Sequence, residues 1–197
     1  MPRQPNPAQV RELIRSQVFK ITGQRLTSRQ IVLRTNPRAD SRIAFDLAKR
    51  RIYWIAIAPA YWQGPENILR IVVTHEVMNT RVEYNLTQDD LDEAEEIRKV
   101  GSDVKKRIAI RTRFEVRRKG WKRILERKLQ TDRLSLEWLR DNGYELMPYI
   151  QFLAEEWNAA NQFSQPRRRY HRLIGAKRVR EAAIFFATCV ECKQNAR

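Results

Sequence analysis

Apolar residues near the start of the chain recur three or four positions apart, at Val10, Ile14, Val18 and Ile21. This spacing places them on one face of an α-helix. Asn6 suits the N-cap, Pro7 suits the first helical position and Gly23 is typical of a helix end. The sequence therefore predicts a leading amphipathic helix.

The segment that follows this helix is compatible with two structures. Residues 27–30 have the form of a capping box, which favours a second short helix before Pro37. The apolar run 31–33 suits a strand equally well. A second helix would give a helix-turn-helix arrangement, although the spacing is not specific to that motif. Four arginines lie in or beside this segment: Arg25, Arg29, Arg34 and Arg38.

Alternation at period two in residues 41–47 and a high content of Ile, Tyr and Trp in residues 51–58 then predict a sheet. Strands are expected at 41–47 and 51–58 around a turn at 48–50, with a third strand at 67–78 and a fourth at 81–86. The connections are too short for parallel crossovers, so we expect an antiparallel meander.

The C-terminal half carries mainly helical patterns. Thr87 caps a helix that ends near Gly101, Asn142-Gly143 ends a later one and Pro148 starts the next. The last helix follows Pro166, with an apolar stripe at Leu173, Ala176, Val179, Ala183, Phe186 and Val190. Segment 105–119 alternates apolar and basic residues, which favours a strand over a helix through Ile110, Phe114, Trp121 and Leu125.

These patterns predict an α+β chain, with a small antiparallel sheet and a leading helix followed by a mainly helical C-terminal half. We expect an α+β part at 1–102 and a basic, mainly helical part at 103–197, or one continuous domain. Hydrophobic residues make up 42% of the 197, which is enough for a core without disulfide bonds. This composition excludes collagen-like, disulfide-rich and plainly disordered chains.

The charge of the chain indicates an acidic partner. The formal net charge is +16, and arginine supplies 29 of the 39 basic residues. Positive blocks at 1–51, 100–134 and 166–197 alternate with negative blocks at 52–99 and 135–165. A guanidinium group presents a planar fork of donors to phosphate oxygens, so this composition favours nucleic-acid contact. A GC-rich genome would raise the arginine content as well.

The strongest candidate site is a basic cluster between residues 166 and 180. Arg168 and Arg172 would fall on the apolar side of the last helix, where unpaired charges cannot be buried. The first two turns are therefore expected to project beyond the core and contact phosphates and bases, or to act as a solvated helix start. The residues of this cluster are Arg167, Arg168, Arg169, Tyr170, Arg172, Lys177, Arg178 and Arg180.

Two further candidates lie elsewhere in the chain. A row of arginines could follow a nucleic-acid backbone or protect an edge strand: Arg107, Arg111, Arg113 and Arg117. Trp62, in the loop at 59–65, could stack on a base or fold back over the end of the sheet.

Signals for catalysis and metal binding are weak. The sequence has no phosphate-binding glycine loop, nucleophile elbow or HExxH motif, and we expect no cofactor. The acidic residues at 89–96 could bind a divalent ion, but they also complement a helix dipole or pair with the surplus arginines. His75 is expected to be a hydrogen-bonded core residue.

The two cysteines, Cys189 and Cys192, are too few for a disulfide framework or a four-ligand zinc site, and we interpret them as structural or incidental. The N-terminus lacks the apolar region of a secretory signal, and no apolar run reaches 18 residues. We therefore expect a soluble, cytoplasmic protein in a reducing compartment.

The function that these patterns favour is non-catalytic nucleic-acid binding by an accessory or structural subunit of a nucleoprotein complex. Arginine with interspersed aromatic residues favours RNA over DNA. One alternative is a metal-dependent phosphodiesterase that uses the 89–96 carboxylates or the pair Glu115 and Glu126. The other is an interaction module for an acidic protein or an anionic membrane surface.

Overall fold

The computed structural model describes residues 5–37, 40–46, 49–82, 88–117, 121–159 and 165–189. Within these ranges the chain forms eight α-helices, one 3-10 turn at Ser28–Gln30 and a small sheet of three strands, which confirms the α+β class. The strands are β1 (Ile31–Leu33), β2 (Arg42–Asp46) and β3 (Arg51–Ile57). The helices are α1 (Pro7–Thr22), α2 (Pro59–Trp62), α3 (Glu66–Asn79), α4 (Gln88–Lys99), α5 (Val104–Arg117), α6 (Trp121–Asp141), α7 (Met147–Ala159) and α8 (Gln165–Thr188).

The leading helix α1 forms as its sequence predicts. Asn6 Oδ1 accepts a hydrogen bond from the backbone N–H of Ala8 at 2.9 Å, and Pro7 occupies the first turn. Gly23 adopts the left-handed conformation, with φ of 74°, and its N–H bonds to the carbonyl of Phe19. All four apolar positions of the predicted stripe are buried.

The sheet is mixed rather than wholly antiparallel, with the strand order β1-β3-β2. β2 and β3 form the predicted antiparallel pair, while β1 lies parallel to β3 with Ile31 opposite Ile55. The capping box at 27–30 does form, but it starts only the 3-10 turn and leads directly into β1. The second helix of a helix-turn-helix is therefore not formed at this position.

The expected third strand, residues 67–78, is wrong because this segment is the helix α3. Eight of its 14 residues are buried, on more than one face of the helix. A helix that is apolar on most sides shows no clear 3.6-residue period, so its sequence resembles a buried strand. Of the expected fourth strand, Arg81 and Val82 form a turn and a bend, and 83–86 lie outside the described residues.

The strand expected at 105–119 is also wrong, because the described part of this segment is the helix α5. Phe114 is buried, and it stands four residues after Ile110 as the competing helical pattern required. α4 and α5 pack against each other as a helical hairpin, and an ion pair between Glu96 and Arg113 joins them.

The helices predicted in the C-terminal half are present. Gly143 follows α6 with φ of 72°, and Pro148 lies at the start of α7. In α8 the buried face is rotated from the expected one. Ile174, Arg178 and Ala182 are buried, whereas Leu173 is 64% exposed.

The main core is built around α3, which packs against α1, α6 and α7. Its largest fully buried members include Tyr149 and Phe152 of α7 and Leu139 of α6, and the sheet contributes Ile52, Ile55 and Ile57. In the part of the chain described here, no helix combines the length and apolar character that crossing a bilayer requires.

Candidate nucleic-acid interface

Helix α8 divides the predicted basic cluster into exposed and buried members. Arg172, Lys177 and Arg180 are exposed, as expected of phosphate contacts. The backbone of Arg167, Arg168, Arg169 and Tyr170 belongs to α8, but their side chains lie outside the described ones.

Arg178 is the member that sequence reasoning placed wrongly. Its side chain is 4% exposed, and its Nε and Nη2 donate to the two carboxylate oxygens of Asp132 at 2.7 and 2.8 Å. Its Nη1 donates to Glu156 at 2.7 Å. The guanidinium is therefore committed to two carboxylates inside the protein, so Arg178 is not a surface contact.

The Arg178 ion pair continues into a chain of buried hydrogen bonds. The hydroxyl of Tyr149 donates to Asp132 Oδ1 at 2.8 Å, and Nδ1 of His75 donates to that hydroxyl at 2.8 Å. Burial, followed by the charge of Arg178, lowers the pKa of His75 to about 3. The imidazole is therefore neutral, and its 3.5 Å approach to Asp132 is not an ion pair. His75 is the hydrogen-bonded core residue that was expected, although it lies on a helix.

Two titratable groups near this chain have shifted pKa values. Burial and then the charge of Glu156 raise the pKa of Glu76 to about 7. Burial alone would raise the pKa of Glu156, but Arg178 and other positive charges outweigh it and lower that pKa below its usual value. The network thus joins α3, α6, α7 and α8 through paired and neutral groups, as a structural polar core requires.

The arginine row expected at 107–117 lies on helix α5. Arg111 and Arg113 are exposed and Arg107 is half-buried, while the side chain of Arg117 lies outside the described ones. Lys105 and Lys106 at the start of the helix are exposed as well. The row is thus part of a largely exposed basic helix rather than of an edge strand.

Three helices begin with positive charge, although the N-terminus of a helix is already electropositive. Lys105, Lys106 and Arg107 occupy the beginning of α5, and no acidic residue lies in that first turn. α6 likewise begins with Trp121-Lys122-Arg123 and α8 with Gln165-Pro166 followed by three arginines, again without an acid in the first turn. At α5, Asp103 precedes the first turn, accepts a hydrogen bond from the N–H of Lys106 at 3.1 Å and lies 3.6 Å from its ammonium, so it offsets part of this charge. The basic residues still outnumber the acids at all three helix starts.

Trp62 makes a contact within the protein itself. It lies at the end of α2, half-buried against the core, and its Nε1 donates to the carbonyl of Arg34 at 2.8 Å. These contacts agree with the alternative in which the ring folds back over one end of the sheet.

Sequence reasoning missed two exposed aromatic residues on the sheet. Tyr53 is 47% exposed and its neighbour Trp54 is 36% exposed, in the strand predicted at 51–58. A simple alternating strand would bury one of two adjacent side chains. The adjacent Tyr-Trp pair was the available signal that the alternation is interrupted here.

The residues considered for metal binding or phosphodiester cleavage gain no support from the part of the chain that the structure describes. Among the described residues, no group of three or more His, Cys, Asp and Glu side chains could hold a metal ion. In the acidic run, Glu96 pairs with Arg113 and Glu95 pairs with Lys99. Glu126 is exposed, the side chain of Glu115 lies outside the described ones, and Cys189 is disulfide-bonded.

Comparisons with protein-family models, curated proteins and solved structures found no match to this chain.

Proposed function

We propose that this protein is a non-catalytic nucleic-acid-binding subunit of a nucleoprotein complex and contacts the phosphate backbone through arginine and lysine. The observation that carries the proposal is the positive charge at the start of α5, α6 and α8, without an acid in any of the three first turns. A bound phosphate would interact with both the cationic side chains and the helix N-terminus.

Asp103 offsets part of this positive charge at α5, but cationic residues in a first helical turn are otherwise unfavourable for the free protein. A charge of the wrong sign at a helix end costs about 0.3–1 kcal/mol. Arg107 and Arg111 are also one helical turn apart, and such like-charged pairs destabilise a helix by about 0.2–0.5 kcal/mol. A polyanion would remove both costs, whereas a role in solubility alone would not require cations at these positions. The exposed basic side chains of α5 and α8 point to the same ligand.

RNA is favoured over DNA. Arginine can form two hydrogen bonds to one phosphate and can also stack on a base, and unpaired RNA offers both groups together. We expect limited sequence readout, because phosphate contacts carry no base information.

The proposal predicts opposite effects of one charge reversal on stability and on binding. Lys105→Glu places an acid in the first turn of α5, so the free energy of unfolding should stay constant or rise by up to about 1 kcal/mol. The same change should weaken RNA binding and reduce the slope of log K against log salt concentration, which is about −0.7 per phosphate for a single strand. Fluorescence anisotropy at several salt concentrations and a urea titration measure the two effects.

Arg133→Glu is the control for net charge in the binding experiment, because Arg133 is 75% exposed within α6, away from any helix start, and pairs with Glu137. This reversal changes the net charge by the same amount as Lys105→Glu. Because Arg133 lies away from the proposed site, Arg133→Glu should weaken binding less. Equal losses in the two variants would reduce the proposal to a general effect of net charge. A salt-independent affinity of the parent protein would contradict it.

A second candidate rests on two exposed aliphatic residues of α5. Val104 and Ile108 stand one turn apart beside Lys105, and a basic helix with an exposed apolar strip suits an anionic membrane surface. Binding to phosphatidylserine vesicles without binding to RNA would select this function.

A further inference from the structure

The exposed Tyr53 and Trp54 result from a β-bulge between β2 and β3. Ala44 pairs with Trp54 and the next residue, Phe45, pairs with Ile52, so Tyr53 is an extra residue in β3. A bulge of this kind redirects the side chains that follow it. Ile52 and Ile55 consequently both enter the core, while the two aromatic side chains between them lie at the surface.

Two glutamine side chains hold the backbone of the bulge. Gln24 accepts a hydrogen bond from the N–H of Ile52 at 2.8 Å and donates to its carbonyl at 2.7 Å. Gln30 donates to the carbonyl of Tyr53 at 2.9 Å, and its Oε1 accepts from the N–H of Thr27 in the capping box. The backbone that carries the aromatic pair is therefore fixed before any ligand binds, which lowers the entropic cost of binding.

Positive charge surrounds the aromatic pair. The guanidinium of Arg51 lies 5.3 Å from the centre of the Tyr53 ring. Lys49 and Arg50 are exposed in the turn that leads into β3. Arg42 pairs with Ala56 and so lies on the same face of the sheet as Trp54, two positions along.

Two carboxylates lie near these cations, and one of them forms an exposed pair with Arg42. Asp40 lies 3.8 Å from Arg42, and Asp46 accepts a hydrogen bond from the N–H of Lys49. Four basic residues lie on β2, in the turn before β3 or at the start of β3, against these two acids, so the local balance of charge is positive.

We propose that Tyr53 and Trp54 stack on unpaired bases of a single-stranded nucleic acid, with Arg42 and Arg51 on the adjacent phosphates. This inference rests on the proposed function and adds the class of ligand to it. Bases in a duplex are covered on both faces by their neighbours, so exposed rings select unpaired bases. The adjacent cations favour a polyanion over a neutral apolar partner.

The test compares a labelled 12-nucleotide RNA with an abasic strand of the same length and charge, by fluorescence anisotropy. The parent protein should bind the RNA more tightly, by about 5- to 150-fold per stacked base. Tyr53→Leu with Trp54→Leu, which keeps apolar bulk without the rings, should bind both strands alike. Tyr53→Phe should keep the preference, and Ile184→Ala, which shortens an exposed apolar residue on α8, should keep it as well.

The outcomes separate this inference from the proposed function. Equal binding of RNA and abasic strand by the parent, with a steep salt dependence, would overturn stacking and leave backbone contact intact. A preference for RNA that survives in the double Leu variant would also overturn stacking at this site. Absence of binding to either strand would overturn both proposals. Binding of polyglutamate that the double Leu variant loses would assign the face to an acidic protein instead. Thermal melts of each variant check that the fold is retained.

Discussion

Arg178 in the helical core is 4% exposed, and its guanidinium donates hydrogen bonds to two carboxylates. Arg51 on the sheet is exposed and lies beside a tyrosine ring. The first arginine joins three helices, since its partners Asp132 and Glu156 lie on α6 and α7. The second leaves its donors open to a ligand. The contrast shows that the chemistry of arginine alone does not locate a nucleic-acid interface. Whether an arginine forms a buried ion pair or remains available to a ligand depends on the carboxylates that its guanidinium contacts.

The largest effect is expected from removing the partner of the buried arginine. Asp132→Ala leaves the charge of Arg178 with Glu156 alone, and breaking a buried ion pair costs about 3–5 kcal/mol. Urea unfolding should show this loss. Combining Asp132→Ala with Arg178→Met removes the unpaired arginine charge and should restore much of the stability.

Glu137→Ala is the control. It removes the carboxylate of the exposed Arg133 pair and should cost less than about 0.5 kcal/mol. Similar losses in the two single variants would mean that burial does not distinguish the two arginine environments.

A smaller effect is expected where the aromatic face is supported. Gln24→Ala removes both hydrogen bonds to Ile52 and leaves its part-buried N–H without that partner, at a cost of about 1–3 kcal/mol. It should also weaken the preference for RNA over the abasic strand, because Gln30 alone then supports the bulge. Gln63→Ala, at an exposed position beside α2, is the control and should change neither quantity. An unchanged preference in Gln24→Ala would show that the rings do not depend on this support.

The smallest effect concerns the protonation of the helical core. The pKa of Glu76 rises from 4.5 to about 7 on folding, so the folded state holds this proton more tightly. Its contribution to stability is fully present below pH 4.5 and is lost as the pH rises toward 7. Glu76→Gln removes that loss, so the variant should gain stability relative to the parent between pH 4.5 and 7, by about 1 kcal/mol since the carboxyl is partly exposed.

The pKa shift of His75 changes the free energy of unfolding in the opposite direction with pH. Its pKa falls to about 3 on folding, so stability should decrease as the pH falls below 6.5. Urea unfolding midpoints of the parent and of Glu76→Gln, measured between pH 4.5 and 7, distinguish the contribution of Glu76 from that of His75. A constant difference between the two proteins at every pH would contradict the assignment of Glu76.

Local signals explain which parts of the fold the sequence could predict. Asn6 and Gly23 mark the ends of α1. The alternation in β2 and the Ile, Tyr and Trp content of β3 identify the β2–β3 pair, since each signal lies within a few residues. α3 was missed because burial on several sides removes the helical period. The basic part of the candidate site could likewise be recognised from composition.

Other parts of the candidate site depend on contacts between residues far apart in the sequence. Arg178 is separated from Asp132 by 46 residues and from Glu156 by 22, so its run of basic neighbours gave no indication of burial. The exposure of Trp54 depends on its register with β2, which pattern alone leaves open.

The hydrogen bonds of Gln24 also bear on aggregation. β1 pairs only with residues 55–57 of β3, so it does not cover Ile52. Without Gln24, the backbone N–H and carbonyl of Ile52 would be available to a strand from another molecule. Gln24 occupies both groups with one side-chain amide, as a neighbouring strand would. Unpaired strand edges promote intermolecular association, especially beside exposed aromatic residues. At the position of Ile52, therefore, the protein displays its rings to solvent while it closes the edge on which a second copy could assemble.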